Sequence, residues 1–342
     1  MNRPSDGLNW GYISKYRSEI MGFACLGVVL FHNKINWPSG LALIQKLLTY
    51  GNAGVDIFLF LSGISLYFAY KKKPDLRTFY KRRVTRLLIP YVLLVVPYWI
   101  WEDIYLQQGN FFLDVTMISF PLAGRRSTWY IGAILVFYLV YPLVYKLYFE
   151  TDRIREIPVN KNIFAIMLPA GMAAMCFVVS RIFPGFYHNV EIALTRSVIF
   201  LVGCKAGAWV FEKKPLREEM LWLSGVFLLF YVLAFRRTVK LTDYWIRISY
   251  VAVAISLVLL LTALLNKTHW DRFNQFLSYF GDRSLEIYLV HVLLIDVYWT
   301  YFPESALDRW RVLDYTIVIA LSIAIADMVH RGSKKIYKGL FA

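Results

Sequence analysis

Apolar residues along this chain run in blocks of about twenty, separated by short polar clusters. Ten blocks approach the length a helix needs to cross hydrocarbon. They cover about 18–36, 53–70, 87–106, 128–148, 163–183, 190–211, 218–235, 245–265, 284–302 and 312–330. Backbone groups in lipid must be satisfied within their own segment, so blocks of this length predict helices. The fold class expected is therefore all-α, a polytopic membrane protein with about ten transmembrane helices. The longest connection, about 107–127, leaves no room for a second soluble domain, so 1–342 reads as one membrane-embedded domain. No internal repeat is visible, and the polar stretch before the first block shows no cleavable signal peptide.

Composition agrees with this pattern. The chain is 58% hydrophobic with a mean hydropathy of +0.49, more apolar surface than a soluble domain can use. Its 11 Trp and 24 Tyr suit interfacial belts as well as a core. The net charge of +15 does not point to nucleic acid, because the cations sit in short segments between apolar blocks. That placement suits topology, anionic membrane lipids and a phosphorylated ligand. Cys25, Cys176 and Cys204 fall inside apolar blocks without paired or metal-ligand spacing and read as small core residues. No metal site is expected.

Charge also sets orientation. With the N-terminus inside, the cytoplasmic segments carry 24 Lys and Arg and the outer segments 10, which places both termini in the cytoplasm. The first helix then runs outward, and His32 lies roughly 21 Å beyond Ser18 at 1.5 Å per residue. Asp56, at the start of the next block, falls near the same outer side. The basic run 71–86, eight cations in sixteen residues, falls on the cytoplasmic side.

These ionisable groups are the candidate chemistry, because charge in a membrane is costly and tends to persist where function needs it. Burial favours a neutral His32 that can accept a proton, and the bland alternative is a structural histidine bonded to a carbonyl. Asp56 could orient the imidazole and stabilise its charged form, or simply cap a helix whose approach is a tight turn at Gly51 and Gly54. Arg82, Arg83 and Arg86 at helical spacing make a clamp suited to phosphates, with topology alone as the alternative. His291 lies in one stripe with Ser284 and Tyr288, equally suited to substrate contact or to an interhelical seam. Trp129 reads as a belt residue or a sugar-stacking platform. Asn33 and Tyr288 are the candidate donors for an oxyanion. Snorkelling accounts for Arg196 and Arg247. His188, His269 and His330 lie at block ends and receive no role.

Taken in order, six pieces resemble the acyltransferase-3 family of bacterial integral-membrane acyltransferases. They are Phe31–His32, Gly54–Gly63, Arg82–Pro90, Trp129 through Pro142, Arg196–Gly203 and Ser284–His291. The resemblance implies a multi-pass protein of the bacterial cytoplasmic membrane that O-acylates, usually O-acetylates, cell-surface glycans. The donor implied is a cytoplasmic acyl-CoA, used as a substrate rather than held as a cofactor. It also implies that His32 is catalytic and that Asp56, Arg83 and Arg86 occupy functional positions. One departure stands out: the family arginine eleven residues before the histidine is Met21 here. Arg17, fifteen before, projects about 60° from the histidine's direction against about 20° for Met21, so either it serves one turn lower or the role has moved elsewhere. The expected reaction moves an acetyl group from acetyl-CoA, docked on Arg82, Arg83, Arg86 and Arg17, to a hydroxyl of an extracytoplasmic or lipid-linked glycan. A covalent acetyl-histidine step stays open. The rival class is a transporter or flippase for a lipid-linked sugar, which predicts internal repeats and interrupted helices; neither is legible in the sequence.

Overall fold

The computed structural model describes residues 7–32, 39–72, 75–150, 163–235, 243–268, 270–302 and 311–341. Twelve principal helices follow one another among them. They are α1 (Arg17–Phe31), α2 (Ala53–Lys72), α3 (Leu76–Trp99), α4 (Trp129–Phe149), α5 (Ile163–Ile182) and α6 (Pro184–Leu194). After these come α7 (Ser197–Phe211), α8 (Glu218–Phe230), α9 (Asp243–Lys267), α10 (Asp271–Asp282), α11 (Ser284–Tyr301) and α12 (Arg311–Phe341). No β-strand occurs among the described residues; Asn9 and Pro215 form an isolated antiparallel bridge.

Every apolar block is helical where described, but fewer than ten helices have the stature of a span. Among the described residues, seven are long and apolar enough to cross a membrane: Ile44–Lys72, Leu76–Tyr105, Trp129–Phe149, Ile163–Ile182, Pro184–Phe211, Tyr244–Lys267 and Val312–Phe341. Two begin or end well outside the predicted blocks. Helix α3 starts at Leu76, so the basic run from Arg77 onward is helical rather than a loop. Asp75 caps it, its carboxylate accepting from the Thr78 N–H at 2.8 Å. Pro90 and Pro97 lie inside α3, and the helix widens into a π-turn at Ile100–Tyr105 just after the second. Helix α12 continues to Phe341, carrying a polar C-terminal third.

The block at 190–211 is broken into α6 and α7 at Thr195 and Arg196, contrary to the uninterrupted helix expected there. Side-chain hydroxyls take over at the break: Thr195 donates to the Glu191 carbonyl and Ser197 to that of Leu194, each at 2.6 Å.

Helix α2 is apolar on all sides and buried nearly all round, as a central helix must be. Its closest partner is α7, and glycine permits the approach. A Cβ on Gly63 would stand 2.6 Å from the Cys204 amide nitrogen, and one on Gly203 would overlap the Phe60 carbonyl. Gly51 and Gly54 likewise let α2 and its preceding turn touch α1, where a Cβ on Gly54 would lie 2.8 Å from Val28 Cγ2. These two glycines therefore serve helix contact as well as the turn. Helices α5 and α12 lie at the rim, with Ile166, Met167, Leu321 and Met328 exposed. Cys25, Cys176 and Cys204 are buried free thiols, as core residues should be.

Candidate active site

A cavity of about 410 Å³ lies between α1, α2, α3, α4, α11 and α12, within the size range of small-molecule sites. Cations gather on its wall: Arg17, Arg83, Arg86 and Lys334. Arg17 Nε donates to Ser65 Oγ at 3.0 Å, and that hydroxyl donates to the Leu61 carbonyl at 2.7 Å, which fixes the guanidinium against α2. Met21 lines the same cavity one turn above Arg17.

Of the three arginines expected to clamp phosphate, the structure brings together two. Arg83 and Arg86 face the cavity with Leu87, the i, i+3, i+4 stripe of α3. Arg82 stands about 100° from Arg83 but only about 40° from Arg86 around the helix, yet its side chain leaves the cavity. Its guanidinium lies 6.0 Å from the Phe341 ring, outside the cavity.

His32 ends α1 and faces α11. Its Nδ1 lies 2.8 Å from His291 Nε2, and His291 Nδ1 lies 2.8 Å from the Ile287 carbonyl. A carbonyl only accepts, so His291 carries its proton on Nδ1 and offers a lone pair at Nε2. His32 must then donate from Nδ1, which leaves its own Nε2 as a bare lone pair. The pair thus sets the tautomer a base or nucleophile requires. His291 is buried, and its ring stands 5.9 Å from that of Tyr288. Tyr288 and Tyr130, with rings 5.3 Å apart, both line the cavity, so Tyr288 joins its wall to His291.

Asp56 does not orient His32. Its carboxylate accepts from Arg196 Nε at 3.3 Å, both side chains being about 2% exposed. Arg196 also donates to Asn52 Oδ1 at 2.8 Å and to the Ile192 carbonyl at 3.0 Å. The helix break presents that arginine inward, so it does not snorkel. Arg247 behaves alike, donating to buried Glu191 at 2.9 Å. Trp129 is neither at a belt nor open to a sugar ring: it is buried, 5.4 Å beneath the Arg196 guanidinium. Asn33 lies outside the described residues.

Two groupings escape the sequence reading. Glu286 Oε1 lies 3.1 Å from His330 Nδ1, and both residues line the cavity. The signal was present, for His330, Ser333, Lys334 and Tyr337 repeat at i, i+3, i+4 and i+7 at the end of an apolar helix. Elsewhere, Arg125 pairs with Glu102 at 2.6 Å, Asp103 at 3.1 Å and Asp114, binding the 102–125 segment together. Nothing in the spacing of those residues announces it.

O-acetyltransferase OatA of Staphylococcus aureus is 22% identical to this chain over 360 residues in strains NCTC 8325 / PS 47, COL and MRSA252. The alignment covers 91% of this chain and 55% of each relative, so the chain spans about half the length of the curated relatives it matches. No solved structure matches it significantly. The family defined by the acyltransferase domain matches residues 21–331, from the Met21 turn of α1 to the His330 turn of α12. With most of its length and most of its cavity lining inside that match, the chain belongs to the acyltransferase-3 family of membrane proteins.

Proposed function

We propose that this protein is a membrane O-acyltransferase that moves an acetyl group from a cytoplasmic acyl-CoA to a hydroxyl of an extracytoplasmic or lipid-linked glycan. The observation that carries the proposal is the His32–His291 pair, which adjoins, through Tyr288, a cavity lined by four cations. A thioester donor with a phosphorylated handle fits that arrangement. Arg83, Arg86, Arg17 and Lys334 attract the phosphates, and the acyl end reaches Tyr130 and Tyr288 beside the histidines. His32 Nε2 takes the acceptor's proton as its oxygen forms a bond to the acyl carbon. The carbon–sulfur bond breaks, and the proton passes from the imidazolium to the leaving thiolate. His291 holds the ring by accepting from Nδ1, the part given to a carboxylate in better-known triads. With both termini on the cytoplasmic side, as the Lys and Arg bias predicts, the cationic face of the cavity meets the donor's compartment. O-acetyltransferase activity, named for the OatA relatives, is the matching chemistry.

The transporter reading has one feature in its favour, the break at Thr195 and Arg196. Its charged group is already paired with Asp56 and Asn52, so the break offers a passenger no unpaired charge among the described residues. Purified protein incubated with labelled acetyl-CoA separates the two. Thioester cleavage by the natural sequence, reduced roughly 10²–10⁴-fold in His32→Ala, is expected. Near-normal cleavage by that variant ends the catalytic assignment.

A further inference from the structure

The cavity has a second polar wall, carried by α11 and α12, that the cationic wall does not explain. His330 and Ser333 are 6% and 8% exposed, and both line the cavity. Neither His330 Nε2 nor Ser333 Oγ has a partner among the described residues. Buried polar atoms left unpaired are rare and ask for an explanation. With the imidazole neutral, the Glu286 carboxylate accepts from His330 Nδ1–H at 3.1 Å, which leaves Nε2 as a lone pair facing a ligand space. That lone pair requires an N–H or O–H from whatever fills the cavity. A fully ionised phosphate has none to offer, and the Glu286 carboxylate would repel it. A secondary amide suits both atoms, its N–H donating to Nε2 and its carbonyl accepting from the Ser333 hydroxyl. Position agrees: Glu286 lies five residues before His291 on α11, roughly 7.5 Å short of it along the axis. That level lies between the phosphate end and the reacting acyl group.

We propose that Glu286, His330 and Ser333 form a hydrogen-bonding wall that reads the amide groups of the donor's pantetheine arm, distinct from the arginines that hold its phosphates. The inference rests on the acyl-CoA reading above. In it, His330 and Ser333 touch the donor, and Glu286 positions His330 by fixing its tautomer.

The test is calorimetric titration of the purified chain with three probes: CoA, 4′-phosphopantetheine, and adenosine 3′,5′-bisphosphate, which lacks the arm. Ser333→Ala and His330→Phe should each weaken CoA and 4′-phosphopantetheine about three- to tenfold, the loss of one net hydrogen bond. Adenosine 3′,5′-bisphosphate should bind both variants as it binds the natural sequence, whereas Arg83→Ala should weaken it. His330→Phe strands Glu286; if that variant does not fold, Ser333→Ala, which deletes a single oxygen, decides alone. Unchanged affinities, or equal losses for all three probes, overturn the inference while leaving the donor reading intact. Failure of the natural sequence to bind CoA at all overturns the donor reading and, with it, this wall's assignment.

Discussion

Replacing His291 by Phe tests whether the histidine pair works as the geometry requires. The ring volume is nearly kept, so α11 should still seat against α1, but the acceptor 2.8 Å from His32 Nδ1 is gone. Two losses follow for His32. Its proton is no longer held on Nδ1, so part of the population carries it on Nε2 and cannot act as a base. The imidazolium formed during reaction also loses a hydrogen bond, and bonds to charged groups contribute about 1.5–3 kcal/mol. Counting only that bond, kcat should fall about ten- to 150-fold. Donor affinity should hold, because neither histidine lines the cavity. His291→Gln, whose amide oxygen can accept from Nδ1, should recover part of the rate. Steady-state acetyl transfer by protein in detergent, with CoA affinity measured separately, gives the split between kcat and binding. A folded His291→Phe enzyme with kcat within threefold of the natural sequence would refute the pairing. So would a loss confined to KM.

Other perturbations follow from the same contacts. Asp56→Ala leaves Arg196 buried without its carboxylate and should lower stability by about 3–5 kcal/mol, read as a fall in Tm. The folded fraction should keep its specific activity within a few-fold, and Asp56→Leu combined with Arg196→Met should regain much of the loss. Arg83→Ala should weaken CoA binding about ten- to a hundredfold, and Arg86→Ala less because it is exposed, while Arg82→Ala should not change it. Equal effects of all three in titration would mean that the cavity does not select among them. Gly203→Val should prevent α2 and α7 from closing, seen as loss of monodisperse protein on size-exclusion chromatography; a stable Val variant would show that the approach tolerates side chains.

Much of the candidate site was legible before folding because lipid penalises idle charge. That penalty is what makes His32, Arg17, Arg83 and Arg86 conspicuous in apolar surroundings. The same rule does not say how a conspicuous group is satisfied. Asp56 and Arg196 each attracted notice or dismissal singly, yet they neutralise one another across 140 positions of sequence. His330 was passed over because a block end looks like a surface, and α12 in fact runs on through it to Phe341.

The sequence by itself determined what depends on composition over a single stretch. That covers the all-helical class, the apolar blocks, the buried cysteines and the presence of a histidine and a cationic cluster. Tertiary structure decided what depends on which faces meet. Helix contact through Gly63 and Gly203, and the break at Thr195 and Arg196, set those faces. They turned Arg82 out of the cavity while Arg83 and Arg86 stayed in, and gave Asp56 to Arg196. They also brought His291 to His32 from 259 residues away. Helical periodicity is local and can be read along a line. A hydrogen bond between α1 and α11 depends on the packing of every helix between them.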